Sequence, residues 1–321
     1  MKAILRSVCA VLALAASVNA LAQAWPARPV RLIVSQAAGT SPDIAARLIA
    51  ERMSRQLGQS LLVENRAGGQ NVIGAQAAAR AAPDGYTFFF ATTAAIVTNP
   101  LTFKTLPYDP PRDFDAVGMI AKSPMVVAVG AGVPVKSLAE LIALDKSKPN
   151  TLSAAHEGPR TFSGMMSQAL NLITGMQVLQ VPYNGATPAI QDTIGGRTQI
   201  VLLSSAAVAP FIKRGDLKPL AVTVARRVAG LENVPALAET YPGFDYAGWF
   251  ALLAPAGTPR EVVLRVNREL NSVLAEPEVA QRLRDLGLVL EPGTPEALNE
   301  FLGAERARWS RLVKEIGLQP E

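Results

Sequence analysis

The chain of 321 residues has one cysteine, one histidine and few aromatic side chains, 6% of the total. Each shortage excludes something. The single cysteine, Cys9, cannot form an intrachain disulfide. It lies in the leader described below, so the remainder of the chain has no thiol nucleophile. A zinc site draws on several His or Cys ligands, and His156 stands alone. There is no G-x-S-x-G elbow, Gly68–Gly74 does not form G-x-G-x-x-G, and no Walker lysine follows it. Basic residues are scattered, without a Lys/Arg block beside aromatics, so nothing tracks a phosphate backbone and nucleic acid is not an expected partner. No motif calls for a metal or cofactor. No apolar run approaches the ~20 residues of a membrane span.

What is present is apolar and weakly charged. Hydrophobic residues make up 49% and charged residues 18%, the balance of a compact globular protein long enough for two domains. Residues 1–24 read as a secretory signal. Lys2 and Arg6 form a basic start, Val8–Val18 is an Ala-rich apolar run, and small residues offer cleavage after Ala20, Ala22 or Ala24. Without the leader, 29 basic residues face 26 acidic ones, a net charge of +3. A bacterial periplasm is the natural compartment.

The chain is organised around Val30–Gln56. Val30, Leu32, Ile33 and Val34 form a β-branched run suited to a buried strand. Ala37, Ala38 and Gly39 are small enough for a ligand to approach the backbone. Ser41 is expected as N-cap, with Pro42 at the first helical position and Asp43 complementing the positive helix end. A helix opened by small residues after a strand offers free N–H groups to an anion. No basic residue lies between Arg31 and Arg47. The first carboxylate of an acidic ligand is therefore expected on backbone N–H groups around Gly39–Ser41. Asp43 must then face away or cap N–H groups itself.

Further strands are expected at Leu61–Glu64 and Tyr86–Ala91, with an Ala-rich helix over Ile73–Ala82 between them. This alternation predicts a parallel, doubly wound sheet with ligands at the carboxyl ends of its strands. The proline-rich stretch Thr98–Phe114 reads as a surface excursion. Val117–Ala121 and Met125–Val129 lead towards a second βα series, with strands at Leu152–Ala155, Val178–Val181, Ile200–Leu203 and Leu220–Val224. Ser137 is expected to cap a helix with Glu140 in the capping-box position. Trp249–Ala254 returns to the first domain, followed by helices over Arg260–Leu274, Val279–Leu286 and Pro295–Ile316. The expected division is residues 25–122 with 250–321 as domain 1, and 123–249 as domain 2.

Arg160 lies in the Glu157–Ser163 loop, where it can meet a carboxylate or solvent. His156 is expected as a partly exposed loop residue. With Ser163 it offers a second reading, an exported α/β hydrolytic enzyme. A third, the effector domain of a transcription regulator, conflicts with the leader and with the lack of a helix-turn-helix. An exported two-domain α/β chain with polar loops and no catalytic constellation has the profile of a binding protein.

Six short motifs, in this order, resemble one family across the chain after its leader. They are Trp25-Pro26-Ala27-Arg28-Pro29, Val63-Glu64-Asn65-Arg66 and Ala82-Pro83-Asp84-Gly85-Tyr86, then Leu106-Pro107-Tyr108-Asp109, Val181-Pro182-Tyr183-Asn184-Gly185-Ala186 and Leu253-Ala254-Pro255-Ala256-Gly257-Thr258-Pro259. The family is the Bug or TctC-like periplasmic solute-binding proteins of tripartite tricarboxylate transporters. The resemblance implies a two-domain periplasmic-binding-protein fold, a hinged, type II-like Venus flytrap with its ligand crevice between the domains. The implied ligand is a small carboxylate: a dicarboxylate, tricarboxylate, amino acid or aromatic acid. The implied partners of a monomeric receptor are transporter membrane subunits or a sensor kinase. Carried over by position, its ligand-binding residues are Gln36, Ala38, Gly39, Thr40 and Ser41, then Thr92, Thr93 and Ala94. Thr161 and Ser163, Asn184 and Gly185, and Ser204 and Ser205 complete the set, and Arg160 joins it from its place in the loop rather than from the resemblance. The chain departs from the family's Pro-Phe-x-x-Gly-Gly loop, which here is Ser35-Gln36-Ala37-Ala38-Gly39-Thr40. Its Tyr-Lys-Gly is Tyr183-Asn184-Gly185. Gln36 replaces an aromatic wall and Asn184 removes a charge, so ligand identity does not carry over.

Overall fold

The computed structural model describes residues 25–320; the leader and its expected cleavage sites lie outside the described residues. The chain opens with β1 (Val30–Val34), α1 (Ser41–Leu57), β2 (Leu61–Asn65), α2 (Val72–Ala79) and β3 (Thr87–Thr92). β1 lies between β2 and β3, parallel to both. Side chains alternate between two cores: Leu32, Val34, Phe88 and Phe90 enter one, and Ile33, Phe89 and Ala91 the other. Burial on both faces is what a parallel sheet flanked by helices requires.

β4 (Phe114–Ser123) continues across Pro124 into β5 (Met125–Gly130), which belongs to a different sheet. There follow α3 (Leu138–Ser147), β6 (Ser153–His156), α4 (Phe162–Thr174), β7 (Leu179–Pro182), α5 (Ala186–Ile194), β8 (Ile200–Ser204), α6 (Ser205–Arg214) and β9 (Leu217–Val222). Ser137 caps α3 by accepting from Glu140 N at 3.2 Å, while the Glu140 carboxylate accepts from Lys136 N at 2.7 Å. The chain returns as β10 (Gly248–Pro255), α7 (Arg260–Ala275), α8 (Pro277–Asp285), β11 (Val289–Leu290) and α9 (Pro295–Glu315). The first lobe carries the sheet β11-β4-β10-β3-β1-β2, and the second carries β7-β6-β8-β5-β9.

Neither sheet is wholly parallel, contrary to the doubly wound expectation. β10 runs antiparallel to β3 and β4, and β5 runs antiparallel to β8 and β9. The reason is connectivity. β1, β3, β6 and β8 end at the crevice, whereas β5 and β10 begin there, having just crossed from the other lobe. The two crossings touch: Ser123 pairs with Gly248, Thr223 N donates to Met125 O at 3.0 Å, and Tyr246 N donates to Thr223 O at 2.8 Å.

The proline-rich stretch is not a surface excursion. Thr98, Asn99, Thr102, Tyr108 and Phe114 are buried, and Tyr108 Oη donates to Ala95 O at 2.7 Å. Its aromatic side chains join the core on that face of the first sheet, where Phe114 stacks on Phe89.

One core cluster includes both Trp249 of β10 and Trp309 of α9, together with Met165 and Met166 of the second lobe. Glu305, 2% exposed, accepts from the indole N–H of both tryptophans at 3.1 Å. Burial raises its carboxyl pKa, with Arg308 at 3.1 Å acting in the opposite sense. Glu305→Ala leaves two buried N–H donors without an acceptor, at about 1–3 kcal/mol each. A loss of ~2–4 kcal/mol in urea unfolding is expected, with Glu305→Gln losing less because it keeps an acceptor. Wild-type stability in the alanine variant would refute this role.

Candidate functional site

The loop after β1 is held by a residue outside the expected set. Ser35 Oγ and Gln36 Nε2 both donate to Asn71 Oδ1, at 2.9 and 2.7 Å. Asn71 is buried and has φ +78, the last of four consecutive positive-φ residues from Gly68. The sequence signal was Gly68, Gly69 and Asn71, residue types that tolerate this conformation, with Gln70 between them held in it at φ +52. α2 presses on the same loop: a Cβ on Gly74 would lie 2.7 Å from Ser35 Cα and 2.9 Å from Arg66 O.

Thr40, not Ser41, is the N-cap residue of α1, and its hydroxyl donates backwards to Ala37 O at 2.7 Å. The helix therefore has no side-chain cap at that position. Asp43 is 2% exposed; it accepts from Gly39 N at 2.8 Å, Arg47 Nε at 3.0 Å and Asn65 Nδ2 at 2.8 Å. Burial works to raise its pKa, but these hydrogen bonds outweigh it and hold the carboxylate below its ordinary value. Asp43 thus caps N–H groups, one of the two expected roles. The Gly39 N–H it takes is no longer free for a ligand, which corrects the expectation for that one donor. The N–H groups of Ser41 and Asp43 lie in the first turn, where the helix supplies no carbonyl. Ala37, Ala38 and Gly39 are exposed.

Thr92 and Thr93 follow β3 and are both buried. Thr92 Oγ1 accepts from Ala95 N at 3.3 Å, and Thr93 Oγ1 accepts from Trp249 N at 2.7 Å. The crevice edge is thereby fastened to the returning strand, and each hydroxyl keeps its proton to donate. Ala94 opens a single π-helical turn, Ala94–Thr98.

In the second lobe β6 pairs in parallel with β7 and β8, so the loops after all three lie at one end. His156 is the last residue of β6 and is 1% exposed, which corrects the expectation of a partly exposed loop residue. Its Nδ1 accepts from Gly158 N at 3.0 Å, and its Nε2 is buried with no hydrogen-bond partner. Burial lowers its pKa, so it is held neutral. Ser163 Oγ accepts from Glu157 N at 2.9 Å. Each side chain is committed to the loop backbone and no hydrogen bond joins them, so the hydrolase reading finds no nucleophile–base pair. Glu157 follows in the same loop, and the protein packed around its carboxyl raises that group's pKa. Arg160 Nη2 donates to Gln319 O at 3.2 Å, tying this loop to the C-terminal segment.

Thr161 caps α4 by accepting from Gly164 N at 3.2 Å, and Ser204 caps α6 by accepting from Ala207 N at 3.4 Å. α5 opens differently. Asn184 is exposed, and Gly185, with φ +108, precedes the helix with no side-chain cap. Ser205 is spent between the lobes: its N–H donates to Pro124 O at 2.9 Å and its Oγ to Gly287 O at 3.0 Å.

Of the helices that follow strands ending at the crevice, α4 and α6 are closed by their own side chains, whereas α1, α2 and α5 have no side-chain cap, and of these only α1 and α5 carry a proline in the first turn. These two share a local pattern. Gly39-Thr40-Ser41-Pro42-Asp43-Ile44 and Gly185-Ala186-Thr187-Pro188-Ala189-Ile190 both read Gly-x-Ser/Thr-Pro-x-Ile, and both glycines have positive φ. One such start comes from each lobe. Among the described residues no group of three or more His, Cys, Asp or Glu side chains is placed to hold a metal.

Residues 45–318 match the model of a family described as the tripartite tricarboxylate transporter family receptor. The chain belongs to this family. A UPF0065 protein of Bordetella bronchiseptica is 36% identical over 301 residues, covering 94% of this chain and 89% of that protein. Among solved structures, R. palustris Rpa4515 with adipate is similar at a TM-score of 0.81 and 34% identity, covering 92% of this chain and 100% of that one. MatC from Rhodopseudomonas palustris with bound malate is similar at a TM-score of 0.76 and 29% identity, covering 90% and 100%. These likenesses fix the two-domain periplasmic-binding-protein architecture, a solute-binding family rather than an enzyme one.

His156 gives a pH test of this loop. Its folded pKa lies below the ordinary value of 6.5, so as pH falls the unfolded chain takes up the proton first. The contribution is present above about pH 6.5 and is lost as pH falls below it. Urea midpoints of wild type should therefore drop more between about pH 7.5 and 5.5 than those of His156→Gln. Parallel midpoint curves would refute a buried neutral imidazole.

Proposed function

We propose that the chain is a periplasmic receptor that captures a small dicarboxylate between its lobes for the membrane subunits of a tripartite tricarboxylate transporter. The observation that carries this reading is the pair of uncapped, proline-containing helix starts, α1 and α5, one from each lobe. Each leaves first-turn N–H groups for an anion at a dipole end that favours negative charge by ~0.3–1 kcal/mol, and more when partly buried. In the proposed mode the first carboxylate sits on the N–H groups of Ser41 and Asp43 beside Ala38, Gly39 and Thr40. The second sits at Asn184 and Gly185. Gln36, anchored by Asn71, forms a polar wall. Thr92, Thr93, Ala94, Thr161, Ser163 and Ser204 line the crevice between these ends. The adipate and malate in the two similar structures support a ligand with two acidic groups. The two adjacent crossings support a division into residues 25–122 with 250–321, and 123–249. No catalytic step is assigned to this crevice.

A thermal-shift screen of small carboxylates identifies the probe, since a ligand at 100 times its Kd adds about 2.7 kcal/mol. Gly39→Val then tests the site. Gly39 has φ +81 and open space around its Cβ position, so the strain lies in the backbone and the loop must move. Titration calorimetry should show the probe bound at least about tenfold more weakly, ~1.4 kcal/mol, with the apo protein still folded. Wild-type affinity in a folded Gly39→Val protein would place the site elsewhere.

Export has its own test. Mass spectrometry of the periplasmic fraction should find a chain beginning at Leu21, Gln23 or Trp25. A full-length cytoplasmic product is the contrary result.

A further inference from the structure

Beside the crossings, where β11 and the end of α8 face the segment after β9, the lobes enclose a cavity of about 560 Å³. A neighbouring hollow of about 370 Å³ shares Val228, Arg284 and Leu288 with it, so the two form one groove. None of the expected crevice residues lines the larger cavity, and only Ser205, whose hydroxyl is bonded to Gly287 O, borders the smaller one. Its charges divide sharply. Lys122 is paired with Glu291 at 3.0 Å, and Arg227 holds Glu239 through two hydrogen bonds of 2.8 and 2.9 Å. Asp245 accepts from Ala225 N at 3.0 Å and lies 3.9 Å from Arg308. Every acidic side chain on the wall is therefore engaged. Arg226 of the second lobe and Arg284 of the first line the same cavity, both exposed, and neither has an acidic partner among the described residues. Around them the wall is aliphatic: Val224, Val228, Leu288, Val289 and Leu290.

We propose that this groove is a second binding site, separate from the crevice, for a small organic carboxylate with an apolar body. The guanidinium groups of Arg226 and Arg284 take the carboxylate, because a planar fork of donors matches its two oxygens. The body lies against Val228 and Leu288, where it removes apolar surface from water. An inorganic anion satisfies only the first of these contacts, and a neutral apolar molecule only the second. Because the two arginines belong to different lobes, a bound anion bridges them. Its affinity is linked to the relative position of the lobes and hence to the crevice.

The probe is benzoate, followed through the Nε–Hε signals of Arg226 and Arg284 in nitrogen-15 NMR spectra, each assigned by its glutamine variant. Both signals should shift with one common midpoint, and Gly39→Val should retain both shifts. Arg226→Gln and Arg284→Gln should each weaken benzoate at least tenfold and leave the melting temperature near wild type. Benzamide, with the same ring and no charge, should move neither signal at the same concentration. The proposal is overturned if benzoate moves neither signal or only one, or if Gly39→Val abolishes the shifts. Benzoate binding that survives both arginine substitutions overturns it too, as does sulfate moving the signals as strongly as benzoate does.

Discussion

The structure depends on one pairing, that of β4 with β10. One strand carries the chain out of the first lobe and the other brings it back, and Ser123 lies opposite Gly248 at the point of exit. Two covalent connections laid side by side act as a single axis. Had they crossed far apart, the lobes would be pinned at two places and the crevice would have a fixed width. The same pairing sets strand direction. A strand that enters a sheet at its crevice end runs away from the crevice, so β5 and β10 are antiparallel among neighbours that approach it.

The crevice is built with backbone where another protein would use charged side chains. Asp43 and Arg47 neutralise each other behind the first loop, and Arg160 reaches the carbonyl of Gln319. What these loops leave unpaired are N–H groups at the starts of α1 and α5. In the proposed mode the carboxylates meet backbone N–H groups, and no long flexible side chain has to be immobilised to hold them. That saves roughly 0.5–1.5 kcal/mol for each rotamer-rich group the site does without. Its geometry is set by how tightly the loops are braced, which explains the buried Asn71 and the bare Cα of Gly74 against Ser35.

Much of this was legible in the sequence because it is local. The run Val30–Val34, the proline after Ser41 and the Ser137/Glu140 pair each specify their element within a few residues. The family motifs are likewise short and ordered. What was not legible depends on partners distant in sequence. The antiparallel insertion of β10 needs knowledge of where β4 ends. The burial of His156 depends on packing around β6 that no neighbouring residue announces. Thr40 displaced Ser41 as N-cap because the Asp43 carboxylate reaches back to Gly39 and fixes where the helix begins. Tyr108 and Phe114, read as part of an excursion, are anchored by Ala95 and Phe89.

The place of β10 in its sheet also orders the folding of the chain in time. It is flanked by β4 on one side and β3 on the other, yet it begins only at Gly248. A growing chain that has emerged as far as β9 already holds every strand of the second sheet, whereas the first sheet still has a gap at its middle. The open edges of β3 and β4 can close only when the last quarter of the polypeptide arrives, and loop-closure entropy makes such distant pairings slow. The second lobe is thus free to form as a unit while the first waits.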